Sequence, residues 1–257
     1  MKKYTFIFGV VVAFFATALF VSCTECDEND PASECYVPCD PTDPTSECYE
    51  LPCDPTDPTS DCYEPPVPDP LTYDEGVVIS GVKWATRNVD MPGTFAATPE
   101  SAGMFYQWNR KVGWSSSDPI VNSNGGTVWS YTTPEGDEWE KSNDPCPAGW
   151  RVPNIEEVNT LTPIYGKVRY EWTTENGVIG GKFTDNFTEI SQFLPAAGSR
   201  SCSDGTLREV GVKGNYWQGT YWGVGGNTAV GFGFYEDKYV DLSSSRTFGY
   251  SIRCVAE

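Results

Sequence analysis

The chain contains no histidine. Histidine is the side chain best suited to moving protons near neutral pH. Its absence excludes Ser-His-Asp and Cys-His catalysis and denies any metal centre an imidazole ligand. Basic residues are scarce too: 17 Lys and Arg stand against 36 Asp and Glu, a formal charge of −19. A nucleic-acid surface needs clustered Lys and Arg, so no nucleic-acid partner is expected. Carboxylate chemistry survives these exclusions, as in glycoside hydrolysis. The most visible acidic pair, Glu156-Glu157, falls on an expected helix. Adjacent helical side chains diverge by about 100° rather than facing each other across a cleft, so the pair reads as a solvated helix N-terminus. No catalytic residue is assigned, and the protein is expected not to be an enzyme.

Long apolar runs are also missing, except at the start. Lys2 and Lys3 precede an apolar segment from Phe6 to Val21, then Ser22-Cys23. A short basic head, an apolar stretch and a small residue before a cleavage point mark an export signal; the segment is too short for a comfortable membrane span. Leu19-Phe20-Val21-Ser22-Cys23 resembles a bacterial lipobox, with Cys23 as the lipidated residue. The alternatives are a plain secretory signal or an uncleaved anchor. The lipobox reading places the protein at the cell surface of the outer membrane, lipid-anchored through acyl chains at roughly 0.8 kcal/mol per buried methylene.

Residues 34–46 read ECYVPCDPTDPTS, residues 47–60 repeat it as ECYELPCDPTDPTS, and DCYEPP from Asp61 begins a third copy. The period is too short for a solenoid unit, and the unit has almost no aliphatic residues with which to bury a core. Frequent proline favours extended, polyproline-like geometry. Between Thr24 and Glu75 lie 16 of the 36 acids and no base, so self-repulsion extends the segment further. About 50 such residues reach on the order of 150 Å at about 3.1 Å each. The expected organisation is a signal peptide over 1–22, an acidic Cys/Pro-rich stalk, disordered or extended, over 23–72, and a head over 73–257. Calcium binding by the Asp-Pro-Thr-Asp clusters is disfavoured because alternate prolines make a tight oxygen cage hard to build.

Of 10 cysteines, Cys23 goes to lipid. Cys26, Cys35, Cys39, Cys48, Cys53 and Cys62 lie in the stalk, and Cys146, Cys202 and Cys254 in the head. In an exported chain the stalk set reads as up to three disulfides, with Cys35–Cys39 and Cys48–Cys53 the natural local pairs. The spacings do not suit zinc, so neither a metal nor a cofactor is expected.

The head holds all nine Trp and many Gly, with few long helical patterns, which argues for short strands, turns and loops. One helix is well signalled: Asn154 can cap it, Glu157 stands at the capping-box position, and Ile155, Val158 and Leu161 share a face. Strands are expected over Gly76–Asn88, Val178–Phe183, Ser191–Ala197, Tyr216–Gly223, Thr228–Tyr235, Tyr239–Leu242 and Tyr250–Val255. In the fifth, Val230, Phe232 and Phe234 alternate with Gly231 and Gly233, leaving one face bare for a close neighbour. Residues 235–239 read as the turn to the next strand.

Six motifs occur in order: Gly81–Val89 (GVKWATRNV), Phe105–Asn109 (FYQWN), Asp144–Pro153 (DPCPAGWRVP), Leu194–Gly198 (LPAAG), Gly214–Trp217 (GNYW) and Gly249–Val255 (GYSIRCV). Together they resemble the Fibrobacter succinogenes major paralogous domain, a family on exported proteins of Bacteroidetes-type bacteria that is related to the C-type lectin-like fold. The resemblance covers nearly the whole head. It implies an α+β, C-type lectin-like domain with short twisted antiparallel strands, few helices and long loops. It also implies a long-range disulfide between Cys146 and Cys254, worth about 4–5 kcal/mol in the chain-entropy model. Cys202 is then the odd one out. Trp84 and Trp150 read as core anchors. The sugar-specifying tripeptides Glu-Pro-Asn and Gln-Pro-Asp of calcium-dependent lectins are absent, and one surplus cysteine does not rebuild the active site of formylglycine-generating relatives.

The segment from Asn215 to Tyr250 is rich in Tyr, Trp, Ser, Asn and Asp, the chemistry of an antibody paratope. Asn215, Tyr216, Gln218, Tyr221, Trp222, Tyr235, Asp237, Tyr239, Ser244 and Tyr250 are therefore the candidate ligand-binding residues. The stretch is also similar to the variable C-terminal end of C-type lectin-like proteins diversified by retroelements; the plainer alternative is ordinary surface on a Gly-rich sheet. The loops carrying Trp114, Trp129 and Trp139 are the second choice. The expected function is a non-enzymatic recognition or adhesion module for a protein or glycan ligand on another cell or in the envelope. The alternatives are a structural fimbrial or envelope component, an enzyme acting on envelope glycans through carboxylates, and a retroelement-diversified binder. Cys23→Ala is predicted to leave the protein unprocessed or free of membranes, and metabolic palmitate labelling of the wild type checks the claim: no label on Cys23 would sink it.

Overall fold

The computed structural model describes residues 69–220 and 226–257. Cys23, the repeats with their cysteines, Tyr221 and Trp222 lie outside the described residues. What is described belongs to one unit, Val67–Glu257.

β1 (Val77–Ile79) and β2 (Val82–Trp84) form a hairpin, as do β3 (Phe105–Tyr106) and β4 (Gly113–Trp114). A long loop then leads to β5 (Trp150–Arg151) and α1 (Ile155–Leu161), the one α-helix among the described residues. There follow β6 (Val168–Glu175), β7 (Val178–Asp185), β8 (Ser191–Pro195), β9 (Ser199–Arg200), β10 (Leu207–Arg208), β11 (Gly214–Trp217), β12 (Thr228–Phe234), β13 (Tyr239–Ser245) and β14 (Val255–Ala256). They assemble as a four-stranded sheet in the order β1-β2-β14-β5, the three-stranded sheets β6-β7-β8 and β11-β12-β13, and two ribbons. Pairing between these strands is antiparallel. The expectation of an α+β chain with short antiparallel strands, few helices and long loops matches the described residues.

Local signals explain most elements. The Asn154 side chain accepts the Glu157 N–H at 2.9 Å, and the Glu157 carboxylate accepts the Asn154 N–H at 2.9 Å, a complete capping box. Val158 and Leu161 are buried. Glu156 is exposed as expected, but Glu157 is not a solvated charge: it also receives the Arg151 guanidinium at 2.8 Å. β6 was not among the expected strands. Its signal was nonetheless present, because Val168, Tyr170, Trp172 and Thr174 alternate with Arg169, Glu171 and Thr173. Asn176 and Gly177 then turn the chain with φ of 47° and 84°, both positive as a two-residue hairpin turn of this kind requires.

Three expected strands differ from the reading. Gly76–Asn88 is not one strand but the β1–β2 hairpin, turned at Ser80 and Gly81 with φ of 49° and 88°. The stretch from Tyr216 stops pairing at Trp217, since the Gly219 N–H turns away to the Pro153 carbonyl at 2.7 Å. In Tyr250–Val255 only Val255 joins a ladder strand, although much of the backbone is bonded to other segments. Tyr250 exchanges bonds with Tyr106 at 3.0 and 2.8 Å, the Ser251 N–H goes to Asn215 at 3.0 Å, and the Ser251, Ile252 and Cys254 carbonyls accept from Trp217, Val89 and Ala85 at 3.0, 3.0 and 2.9 Å. This segment is a spine with a different partner at each step.

Side chains fill two apolar clusters. One gathers Trp84, Val158, Leu161, Phe183, Leu194, Tyr216, Phe232, Phe234 and Val255; the other gathers Phe95, Tyr106, Trp108, Trp217, Tyr250, Ile252 and Cys254. Phe234 lies 5.4 Å from Phe183, 5.9 Å from Tyr216 and 6.1 Å from Tyr170, ring centre to ring centre. Burying such a ring stabilises the fold by roughly 1.5–3 kcal/mol. The bare glycine face is needed here: a Cβ on Gly214 would fall 2.0 Å from the Phe234 ring, and one on Gly231 2.4 Å from the Tyr216 carbonyl oxygen. Cys146 and Cys254 are disulfide-bonded, 108 residues apart.

Asp74 anchors the incoming chain. Its buried carboxylate accepts the N–H groups of Gly76 and Thr86 at 2.8 and 3.0 Å and the Arg87 guanidinium at 3.1 Å. Arg87 in turn holds the carbonyls of Pro70, Tyr73 and Ala96. Burial works to raise the Asp74 carboxyl, but the hydrogen bonds from Thr86, Gly76 and Arg87 outweigh it and hold the group below its ordinary value. A depressed folded-state value means stability that is present above the unfolded value and is lost as pH falls through the folded one. Wild-type melting temperature should therefore drop in acid where that of Asp74→Asn stays flatter. At neutral pH the variant, which leaves Arg87 without its counter-charge, should be destabilised by about 3 kcal/mol. Parallel pH–melting curves for the two proteins would refute this.

Candidate functional site

The second motif, Phe105–Asn109, organises the loop between β4 and β5. Phe105, Tyr106 and Trp108 are buried. Gln107 donates to the carbonyls of Ser130 at 2.8 Å and Thr247 at 3.0 Å, and Trp108 Nε1 donates to the Gln218 carbonyl at 2.9 Å. Asn109, with φ of 53°, grips the loop at three points. Its Nδ2 donates to the Glu135 carbonyl at 2.8 Å, and its Oδ1 accepts the Glu140 N–H at 2.9 Å and Asn143 Nδ2 at 3.3 Å. Asn tolerates this left-handed backbone better than most residues.

Pinned this way, the loop presents Trp139. Its N–H donates to the Gly219 carbonyl at 2.8 Å and its Nε1 to the Asn143 carbonyl at 2.9 Å, while the ring meets Trp108 edge-on at 6.0 Å. Facing it stand Trp150 on β5 and the turn that carries Cys146. Between them opens a cleft of about 670 Å³, lined also by Lys111, Asp137, Glu138, Asp144, Arg151, Gly219, Thr220 and Glu257. Its volume lies within the usual range for a small-ligand site, about 300–1,000 Å³. Trp139 and Trp150 are both half-buried, so each keeps an open part of its indole.

Several of the charges are already engaged. Lys141 meets Glu257 at 3.0 Å, and Arg151 is held by Glu157. The Asp144 carboxylate accepts the N–H groups of Cys146 at 2.8 Å and Val152 at 3.0 Å. Burial pushes the Asp144 carboxyl above its ordinary range; the two backbone bonds oppose this, while the nearby Glu257 adds to it. Lys111, Asp137 and Glu138 have no ion-pair partner among the described residues. The cleft therefore offers two half-buried indoles, that of Trp150 also contacted by Lys83 and Phe95, with an unpaired cation and two unpaired carboxylates, a set suited to packing and hydrogen bonding with a polar ligand.

The candidate ligand-binding residues do not form one open face. Asn215, Tyr216, Gln218 and Tyr250 are corrections: all four are buried. Tyr216 stacks on Phe232 at 5.2 Å and donates to the Pro195 carbonyl at 3.0 Å, and burial pushes its hydroxyl up to about 12. Tyr250 packs on Trp217 at 4.4 Å and donates to Ser244 Oγ at 2.9 Å, which occupies Ser244 as well. Tyr235 is half-buried, with the ammonium groups of Lys213 and Lys238 at 4.8 and 5.6 Å from its ring centre. Asp237 is exposed at the hairpin turn, and half-buried Tyr239 lies 6.1 Å from Phe232. Tyr221 and Trp222 are outside the described residues. Of the second-choice tryptophans, Trp114 and Trp129 pack against each other in the interior at 4.8 Å, and Trp139 alone keeps exposure. Trp84 is core as expected, whereas Trp150 is shared between the interior and the cleft wall.

The cleft residues Lys111, Asp137, Glu138, Arg151 and Glu257 were not expected as a site. They come from separate stretches that only the fold unites, so no local spacing signals them. Asn109→Ala should cost about 1–3 kcal/mol and loosen the loop. Hydrogen exchange at the Trp139 and Glu140 amides should accelerate while that of α1 stays unchanged; unaltered protection at Glu140 would show that Asn109 does not hold it.

The chain matches no protein-family model, no curated protein and no solved structure.

Proposed function

We propose that residues 73–257 form a C-type lectin-like recognition head. In this reading Cys23 anchors it by acyl chains at the cell surface, and the repeats lift it away from the outer membrane. The head binds a protein or glycan ligand and does not transform it. The ordered motifs support the family reading, as does a Cys146–Cys254 bond where the resemblance to the Fibrobacter succinogenes major paralogous domain implies one.

The observation that carries the binding reading is the Trp139–Trp150 cleft. Half-exposed indoles held by a fixed loop give rigid contact area at small entropic cost. Recognition is favoured over catalysis because the most buried carboxylate there, Asp144, has both oxygens occupied by backbone N–H groups, Glu257 is paired with Lys141, and the unpaired Asp137 and Glu138 are exposed neighbours on one loop rather than a facing pair. Thr220 lines the cleft and leads directly into Tyr221 and Trp222, so the sequence-expected aromatic pair adjoins it along the chain.

A glycan array and a cell-surface pull-down with the full chain identify the ligand. Trp139→Ala should then weaken capture by at least about 2 kcal/mol, as at a binding hot spot, with a melting temperature near wild type. Trp84→Ala should instead collapse stability. Undiminished capture by both Trp139→Ala and Trp150→Ala would remove the cleft from the function.

A further inference from the structure

β13 is bonded to β12 on one side only. Seven consecutive pairs run without a bulge from Thr228↔Ser245 to Phe234↔Tyr239. The hairpin closes with the Tyr235 N–H on the Lys238 carbonyl at 2.8 Å, and the Arg246 N–H reaches the Asn227 carbonyl at 3.0 Å beyond the other end. In an antiparallel ladder, bonded and non-bonded pairs alternate. Both bonds set the same phase: Val240, Leu242 and Ser244 turn their backbone groups toward β12, and Tyr239, Asp241 and Ser243 turn theirs away. Among the described residues nothing takes up the backbone N–H or C=O of those three. No residue of β13 is buried.

Native sheets usually blunt such an edge with charge, proline, a bulge or a cover. β6 follows that practice, with Arg169, Glu171 and Glu175 on an edge of its sheet. β13 does not: its sequence, YVDLSSS, carries the single charge of Asp241 and no Lys or Pro.

We propose that β13 is the docking edge for a second copy of this chain, paired antiparallel about a two-fold axis at Leu242. In that register the free backbone groups of Asp241 and Ser243 satisfy one another across the seam, and Tyr239 meets Ser245, whose N–H also turns outward and whose carbonyl already accepts the Phe248 N–H at 3.0 Å. Leu242 faces Leu242, and Tyr239 of each strand faces Ser245 of the other. Asp241 of each strand faces Ser243 of the other. The symmetric register centred on Asp241 sets two carboxylates opposite each other, which is destabilising. The one centred on Ser243 runs Tyr239 past the end of the strand, opposite Thr247. The Leu242 register thus keeps the two Asp241 carboxylates from directly opposing each other, and the two three-stranded sheets become one continuous sheet across the two copies. The inference is independent of the cleft.

Ser243 is exposed, so its substitution reads the edge and not the core. Sedimentation velocity of the full chain over a concentration series should show a reversible monomer–dimer equilibrium. Ser243→Asp places two carboxylate pairs in opposition and should raise the dimer dissociation constant by roughly tenfold; Ser243→Lys places each ammonium opposite Asp241 and should lower it by roughly the same factor. Leu242→Cys should yield, on non-reducing mapping, a peptide cross-linked to its own copy through the two introduced thiols, because directly opposed non-bonded residues bring their Cβ atoms close. A wild type that stays monomeric throughout would overturn the proposal and leave the edge to some other strand. A dimer indifferent to the sign of the charge at position 243 would overturn it too, by placing the interface elsewhere.

Discussion

The head depends on how one buried backbone stretch, Gly249–Val255, disposes of its polar groups. A buried N–H or C=O without a partner costs about as much as a lost hydrogen bond. Here the obligations go to different elements: Gly249 exchanges bonds with Arg200, Tyr250 with Tyr106, Ser251 bridges Asn215 and Trp217, and Ile252 and Cys254 serve Val89 and Ala85. The small sheets also pack their side chains against one another in the two apolar clusters. The four-stranded sheet, the β3-β4 and β9-β10 ribbons and β11 are all bonded to this one stretch of backbone, while the β6-β7-β8 sheet joins them through the first apolar cluster.

Two side chains of the spine reinforce this. The Cys254 sulfur ties it to Cys146, on the turn before β5. Arg253 reaches into the loop after β2, donating to Asn88 Oδ1 at 2.9 Å and to the carbonyls of Ala85 and Thr86. The guanidinium is buried, and burial lowers its pKa from the ordinary arginine value. Partial charges on carbonyl and amide oxygens stand where a carboxylate would usually sit. The cleft inherits its shape from the same framework. Trp150 is fixed by the strand that β14 pairs, and Trp139 by the Asn109 grip next to Trp108, whose indole donates to Gln218 just after β11.

What the sequence revealed follows the range of each signal. The capping box of α1 spans three residues, and both of its bonds formed. The hairpin turn at residues 235–238 and the close approach at Gly231 are likewise local, and both are present. β6 was equally legible from its alternation and the Asn176-Gly177 turn, and was overlooked among charged neighbours. Composition was less reliable: Tyr and Ser near the C-terminal end look the same whether they face a ligand or each other. Tyr250, which is buried, and the half-buried Ser244 satisfy one another. The cleft was not legible at all, because Lys111, Trp139, Arg151 and Glu257 become neighbours only once the spine has drawn four distant stretches together.

The order of these parts along the chain has a kinetic consequence. Every backbone partner of the spine, from Ala85 to Trp217, precedes it in sequence, so a chain emerging from its amino end holds all the pieces before the one that joins them. Contacts of such long range slow folding, since loop closure must come before any reward. Cys146 must also wait, as a free thiol, while Cys202 is made before Cys254. Wrong pairing with Cys202 is the kinetically accessible error, and reaching the native bond then requires thiol–disulfide exchange. The head therefore closes late, and a chain cut short before Gly249 has its sheets packed by side chains but without the backbone stretch that bonds them together.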